Sequence, residues 1–291
     1  MAKIALLRPG AIGDIIMSLN FVFPLQKEND VSFFCHNSNY NILKPFVSNF
    51  CKLESLENLN KKNFDKVINL VGYPINEGYP HKKMSKHLLE YFSKEIGVEF
   101  SFEYFVCDKP CFPKKIKNRN YPRYITIQTK TGWSTYKDWW GWQDLVNLLK
   151  KNKPNIEIYQ IGGPNDPQLN NIDGSFCGDN FLDNVSAQAW ANLHIGLDSV
   201  FNHTTNIIWS NKGKTKSIIL FGSTQSTASG YPHNVNISLN LPCQPCFKEN
   251  PKISTMSLGL CENPPNQTYE NPQHACMKNI SPKMVYDLIQ I

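Results

Sequence analysis

The sequence predicts an α/β protein built as two Rossmann-like lobes facing each other across a cleft, and three observations carry that expectation. Short apolar runs alternate with segments of helical apolar spacing, the pattern of a parallel sheet covered by helices. A Pro-, Lys- and Arg-rich stretch from Asp108 to Arg123 interrupts the alternation once, and a second α/β unit then begins. The chain also opens on a strand, a glycine-bearing turn and a helix start, the arrangement that aims backbone N–H groups at an anion.

The elements follow in order. Lys3–Arg8 reads as a buried parallel strand, broken by Pro9 and Gly10. A helix starting near Gly13 and Asp14 should bury Ile15, Ile16, Leu19 and Phe23. Val31–His36 and Lys66–Val71 read as strands, and Lys83–Ile96 as a helix with Leu88, Leu89, Phe92 and Ile96 on one side. Phe105 and Val106 close the first unit. In the second, Tyr124–Gln128 is a strand, Thr129–Asp138 a polar loop, Trp142–Lys151 a helix and Ile156–Ile161 a strand. Val185–Leu193 reads as a helix with Ser186 or Asn184 as cap, His194–Asp198 as a short strand, His203–Trp209 as a helix and Ser217–Phe221 as a buried strand. Ser281 and Pro282 open a last helix, Lys283–Ile289. The expected division is 1–118, 119–240 and a tail of 241–291.

The 291 residues suffice for one large or two ordinary domains, and 41% hydrophobic content allows a sizeable core. No apolar run approaches the ~18–20 residues of a membrane span. The N-terminus has no signal-peptide pattern, which gives a cytoplasmic expectation. Nine cysteines without an export signal fit a reducing compartment, either buried or bound to metal. A net charge of +6 is too weak to argue nucleic acid, but is compatible with anionic substrates and with loose association at an anionic membrane face.

Asp14 is the odd residue of the first turn, because a carboxylate there would repel a phosphate. In a small-residue turn at the top of a sheet it suits a general base. Its plain alternative is a first-turn aspartate satisfying helix N–H groups. Lys137 lies in a loop with Thr129, Thr131, Ser134 and Thr135, hydroxyl donors that with a lysine point charge can hold a diphosphate without metal. Asp198 and Ser199 sit at a strand end entering a helix, a second anion site by geometry. Trp139, Trp140 and Trp142 are expected to pack the lobe. A dehydrogenase fits poorly, since the first turn has Gly10-x-x-Gly13 and no acidic residue closes the next strand.

Arg8-x-x-x-x-Gly13-Asp14, Lys137-x-Trp139, Asp198-Ser199 followed by His203, and Phe221-Gly222-Ser223-Thr224 occur in this order. Together they resemble the family 9 glycosyltransferases, the ADP-heptose:lipopolysaccharide heptosyltransferase family. The likeness runs from Lys3 to the C-terminus and is thinner between Asn37 and Tyr121. It implies a GT-B fold with an N-terminal acceptor lobe, a C-terminal nucleotide-sugar lobe and inverting transfer without a catalytic metal. Asp14 would be the base and Lys137 the group that stabilises the leaving diphosphate. Asp198, Ser199, His203, Gly222, Ser223 and Thr224 would line the donor. The family usually has glycine where this chain has Val200. The implied partners are an ADP-sugar donor and a saccharide, glycolipid or protein hydroxyl acceptor. A homo-oligomer is left open.

Cys243-x-x-Cys246, Cys261 and Cys276 follow on Pro- and Asn-rich segments, a pattern suited to a tetrahedral four-thiolate metal site, with His274 as a substitute ligand. It is similar to the iron-bearing cysteine finger of the protein heptosyltransferases that modify autotransporter adhesins. Zinc and iron both accept such a set, and either would be structural. Cys35, Cys51, Cys107, Cys111 and Cys177 have no ligand spacing and are expected buried or idle. The competing reading is a metal-stapled, non-catalytic binding or assembly module on the same fold.

Overall fold

Two all-parallel sheets organise the chain in a computed structural model that describes residues 1–72, 83–103, 106–116, 123–132, 137–209, 214–245 and 274–291. The first half contains β1 (Ala2–Leu7), α1 (Ile12–Ser18), α2 (Val22–Gln26), β2 (Asn29–Cys35), α3 (Asn37–Val47), β3 (Lys52–Ser55), β4 (Lys66–Asn69), α4 (Leu88–Ile96) and β5 (Cys107–Asp108). The second contains β6 (Tyr124–Gln128), α5 (Trp142–Asn152), β7 (Glu157–Ile161), β8 (Gly174–Ser175), α6 (Phe181–Trp190), β9 (Leu193–Leu197), α7 (Val200–Ile207), β10 (Ile208–Trp209), β11 (Ser217–Leu220), α8 (Ser226–Ser229) and β12 (Val235–Ile237). Two short helices, α9 (Ala275–Lys278) and α10 (Pro282–Asp287), end the chain.

The first sheet has the order β3-β2-β1-β4 and the second β12-β11-β9-β6-β7-β8. In each, the chain leaves a central strand in one direction and returns on its other side. That reversal leaves a crevice at the carboxyl ends of the central strands, between β1 and β4 in one sheet and between β6 and β9 in the other, where open α/β sheets bind ligands.

The strands follow their sequences closely: Tyr124–Gln128 is β6 residue for residue, and its five side chains are all buried. Several local expectations needed correction. Phe23 is exposed, because a 3-10 turn at Leu19–Phe21 shifts the helical phase and buries Phe21 and Val22 instead. The helix expected from Lys83 starts at Leu88, where His87 Nδ1 accepts from Leu89 N (3.1 Å) and Glu90 Oε1 accepts from His87 N (3.2 Å). The helix expected from Val185 begins at Phe181 and is capped by Asn180, which accepts from Asp183 N at 2.9 Å. The helix expected over His203–Trp209 spans Val200–Ile207, and Ile208–Trp209 is strand β10 instead. Helix α3 and strand β3 had no clear signal, since asparagines and Pro45 obscure the period of Leu43, Phe46 and Val47. Trp139 and Trp142 pack in the core as expected, whereas Trp140 is exposed. Cys35, Cys51 and Cys107 are buried, Cys177 is half-buried and Cys111 is exposed.

One apolar core runs through both halves, joining Ile15 and Phe21 of the first to Tyr124, Phe201 and Tyr231 of the second. Polar ties reinforce it: Asn206 Nδ2 donates to Asn20 Oδ1 at 2.7 Å, and β5 pairs in parallel with β10. A separate core lies under α5 on the far face of the second sheet, and Met277, Ile280, Val285 and Ile289 of the tail pack into it. Among the described residues no helix is long and apolar enough to cross a membrane.

Candidate active site

The first crevice is built on the turn after β1. Arg8 N continues the ladder to Phe34 O (3.0 Å), Pro9 and Gly10 turn the chain, and Ala11 leads into α1. Asn39 of α3 braces the turn by donating to Gly10 O at 2.7 Å and Pro9 O at 3.3 Å. Asp14 falls in the first turn of α1, where the positive helix end favours a carboxylate. Its side chain is 34% exposed, and Oδ2 accepts from Arg8 Nη2 at 2.8 Å. Arg8 is itself buried: Nη1 donates to Leu70 O (2.5 Å) just beyond β4, and the guanidinium lies 5.6 Å from the Phe92 ring centroid.

The second crevice centres on Asp198, which is 3% exposed. Its Oδ2 accepts from Lys137 Nζ (2.8 Å) and Thr224 Oγ1 (2.5 Å), and its Oδ1 from Ser229 Oγ (3.0 Å) and Asn202 Nδ2 (3.4 Å). Lys137 also donates to Asp198 O at 2.8 Å. Burial alone would raise this carboxyl's pKa. The Lys137 and His203 charges, with the hydrogen bonds from Lys137 and Thr224, outweigh burial and hold it at about 2. Gln128, at the end of β6, spans the crevice: its Oε1 accepts from Leu197 N (3.1 Å) and Ser199 Oγ (3.0 Å), and its Nε2 donates to Lys130 O.

Helix α1 packs against α7, so the two crevices meet. Gly13 permits the approach, since a Cβ there would lie 3.2 Å from His203 Cδ2 and 3.7 Å from Val200 Cα. His203 Nδ1 is paired with Tyr231 Oη at 2.8 Å. Burial pushes the His203 pKa down, against the opposing pull of Asp198 and Asp14, which places both carboxylates within its electrostatic reach.

The sequence-derived residues therefore fall into groups. Asp14, Lys137, Asp198, Ser199, His203 and Thr224 gather at the junction. Ser223 is buried beside Thr224, and its Oγ has no partner among the described residues. Gly222 O accepts from Gln244 Nε2. Thr129 Oγ1 accepts from Gln160 Nε2 at 3.1 Å, and Thr131 is buried. Ser134, Thr135, Cys246 and Cys261 lie outside the described residues. Cys276 is buried on α9 and Cys243 is exposed. Among the described residues no three His, Cys, Asp or Glu side chains are grouped to hold a metal. Sequence reasoning named Arg8 only as a motif residue, with no role, and left out Gln128, Ser229 and Tyr231. A charged or amide residue closing an apolar strand was a signal for Arg8 and Gln128. The others reach the site only through the fold.

No protein-family model matches the chain, and no curated protein does. Solved structures do resemble it. The iron-containing dodecameric glycosyltransferase TibC from enterotoxigenic E. coli is 14% identical with a TM-score of 0.65, over 98% of this chain and 74% of its own. TibC has also been solved in complex with ADP-D-β-D-heptose. The E. coli ADP-heptose LPS heptosyltransferase II is 13% identical with a TM-score of 0.64, over 98% of this chain and 96% of its own. A family 9 glycosyl transferase from Veillonella parvula is 13% identical with a TM-score of 0.58, over 81% of this chain and 85% of its own. The α/β architecture of two parallel sheets is that of these proteins.

Proposed function

We propose that the chain is an inverting glycosyltransferase that moves a sugar, a heptose by preference, from an ADP-sugar to a saccharide or protein hydroxyl. The supporting observation is that a one-third-exposed carboxylate, Asp14, and the ion pair of the half-buried Lys137 with the buried Asp198 meet at the reversal points of the two sheets. The named substrates of the similar structures suggest the ADP-heptose donor. In this reading residues 1–118 receive the acceptor, 119–240 hold the nucleotide sugar, and 241–291 carry the four cysteines of the finger.

The acceptor hydroxyl attacks the anomeric carbon as its proton passes to Asp14. The bond from that carbon to the diphosphate oxygen breaks, and its electron pair stays with ADP. Negative charge then develops on the diphosphate. Lys137 is held by two bonds to Asp198 and has a third N–H with which to meet it. Asp198 fixes this lysine and the Thr224 loop through its own charge, and contributes no positive group to the donor. The reading assigns no metal to catalysis. Four thiolates at Cys243, Cys246, Cys261 and Cys276 form a donor set suited to a structural iron or zinc.

Calorimetry of ADP, UDP and GDP against the full chain and its Lys137→Ala variant tests the function. ADP-selective binding that weakens about tenfold or more without Lys137 is the expected result. Failure of every nucleoside diphosphate to bind would overturn it in favour of a non-catalytic module.

A further inference from the structure

Arg8 is a buried cation whose place in the fold is not explained by packing alone. Its guanidinium is fixed on two sides: Nη1 donates to Leu70 O at 2.5 Å, and the planar group lies 5.6 Å from the Phe92 ring centroid. The third side faces Asp14, with Nη2 2.8 Å from Oδ2. Leu70 and Phe92 are themselves fully buried, so the fork has little freedom to turn. Among the described residues Asp14 Oδ1 has no hydrogen bond, and the carboxylate is the more exposed end of the pair, 34% against 6%. The arrangement clamps one carboxylate oxygen from behind and leaves the other without a hydrogen bond among the described residues.

We propose that Arg8 is the positioning residue of the general base: it sets the orientation of Asp14 and keeps Oδ1 aimed at the attacking hydroxyl. The inference rests on the glycosyltransferase reading above. A rigid bidentate-capable fork suits this task better than a lysine, whose flexible stem does not fix a carboxylate plane. Loss of alignment at a reacting group costs rate much more than ligand affinity. Arg8 is buried behind the more exposed Asp14 and acts in this proposal only through it, so its removal should separate the two.

The test uses the full chain, an ADP-activated heptose and water as acceptor, with ADP release as the signal and calorimetric ADP binding as the control. Arg8→Met is expected to lower kcat by about tenfold or more while ADP affinity stays within about twofold. Arg8→Lys, which restores the charge without the fork, should recover only part of that loss. Equal kcat in wild type and Arg8→Met would overturn the positioning role. So would a parallel fall of kcat, ADP affinity and Tm in both variants, which marks a purely structural cation. Absence of ADP release from the wild type would overturn the transferase reading and the positioning role together, a result distinguishable from either variant outcome.

Discussion

Asp14 and Asp198 share a side chain and sit in opposite environments. Asp14 keeps one partner and a third of its surface in water, the condition of a group that must exchange a proton. Asp198 is buried among Lys137, Thr224, Ser229 and Asn202, the condition of a permanent charge that holds other groups in place. Substitution should separate the roles. Asp198→Asn leaves the Lys137 ammonium, only 14% exposed, without its counter-charge and is expected to cost roughly 3 kcal/mol of stability. Asp14→Asn takes the counter-charge from a buried cation as well, Arg8, and is expected to cost a comparable amount, roughly 3 kcal/mol. It should also remove most transfer activity, by at least about 100-fold. Urea melts and ADP-release rates on both variants check this. Wild-type ADP release from Asp14→Asn would refute the division of roles.

At the scale of elements, close approach explains two glycines. Gly13 lets α1 rest on α7. Gly196 lets β9 pass the Gln128 amide, since a Cβ there would come within 2.9 Å of Gln128 Oε1. The C-terminal helices are joined to the second sheet by apolar packing and by Trp139 Nε1, which donates to Ile280 O at 2.8 Å. Cys276 lies within that packed region, which gives the proposed metal site one fixed ligand. Elemental analysis of the purified chain should read about one iron or zinc per molecule, and Cys243→Ser with Cys246→Ser should lose it. Full metal retention in the double variant would eliminate the site.

For the molecule as a whole, buried histidines set the acid limit of stability. Burial, assisted for His87 by the nearby His203 charge, holds the pKa of His87 at about 3, and burial does the same for His194. In the unfolded chain each would titrate near about 6.5. Below that value the unfolded chain binds protons that the native state refuses, so stability is full above it and declines as pH falls toward about 3. Each histidine contributes a slope of up to about 1.4 kcal/mol per pH unit within this window. Asp198, held at about 2, loses its contribution only in stronger acid. Urea midpoints should therefore fall between pH 7 and pH 4.5, and His194→Asn should flatten that fall. An unchanged slope in the variant would refute the assignment.

The sequence by itself determined the strands β1, β2, β4, β6, β7, β9 and β11, the alternation that makes both sheets parallel, and the chemical types in the first turn and in the Asp198–His203 stretch. Those features are local: strand burial, glycine turns and helix starts are written in neighbouring residues. Local signals did not locate the phase shift after Leu19, the asparagine-masked α3, or the cap at Asn180. Only the tertiary structure decided that Arg8 braces Asp14 against Leu70 and Phe92, that Lys137 is held by Asp198, and that Gly13 admits His203. Each of these joins residues from different strands or different halves, and no sequence period records which crevice will meet which. That choice is made by the apolar core running between the halves, which brings the two reversal points together.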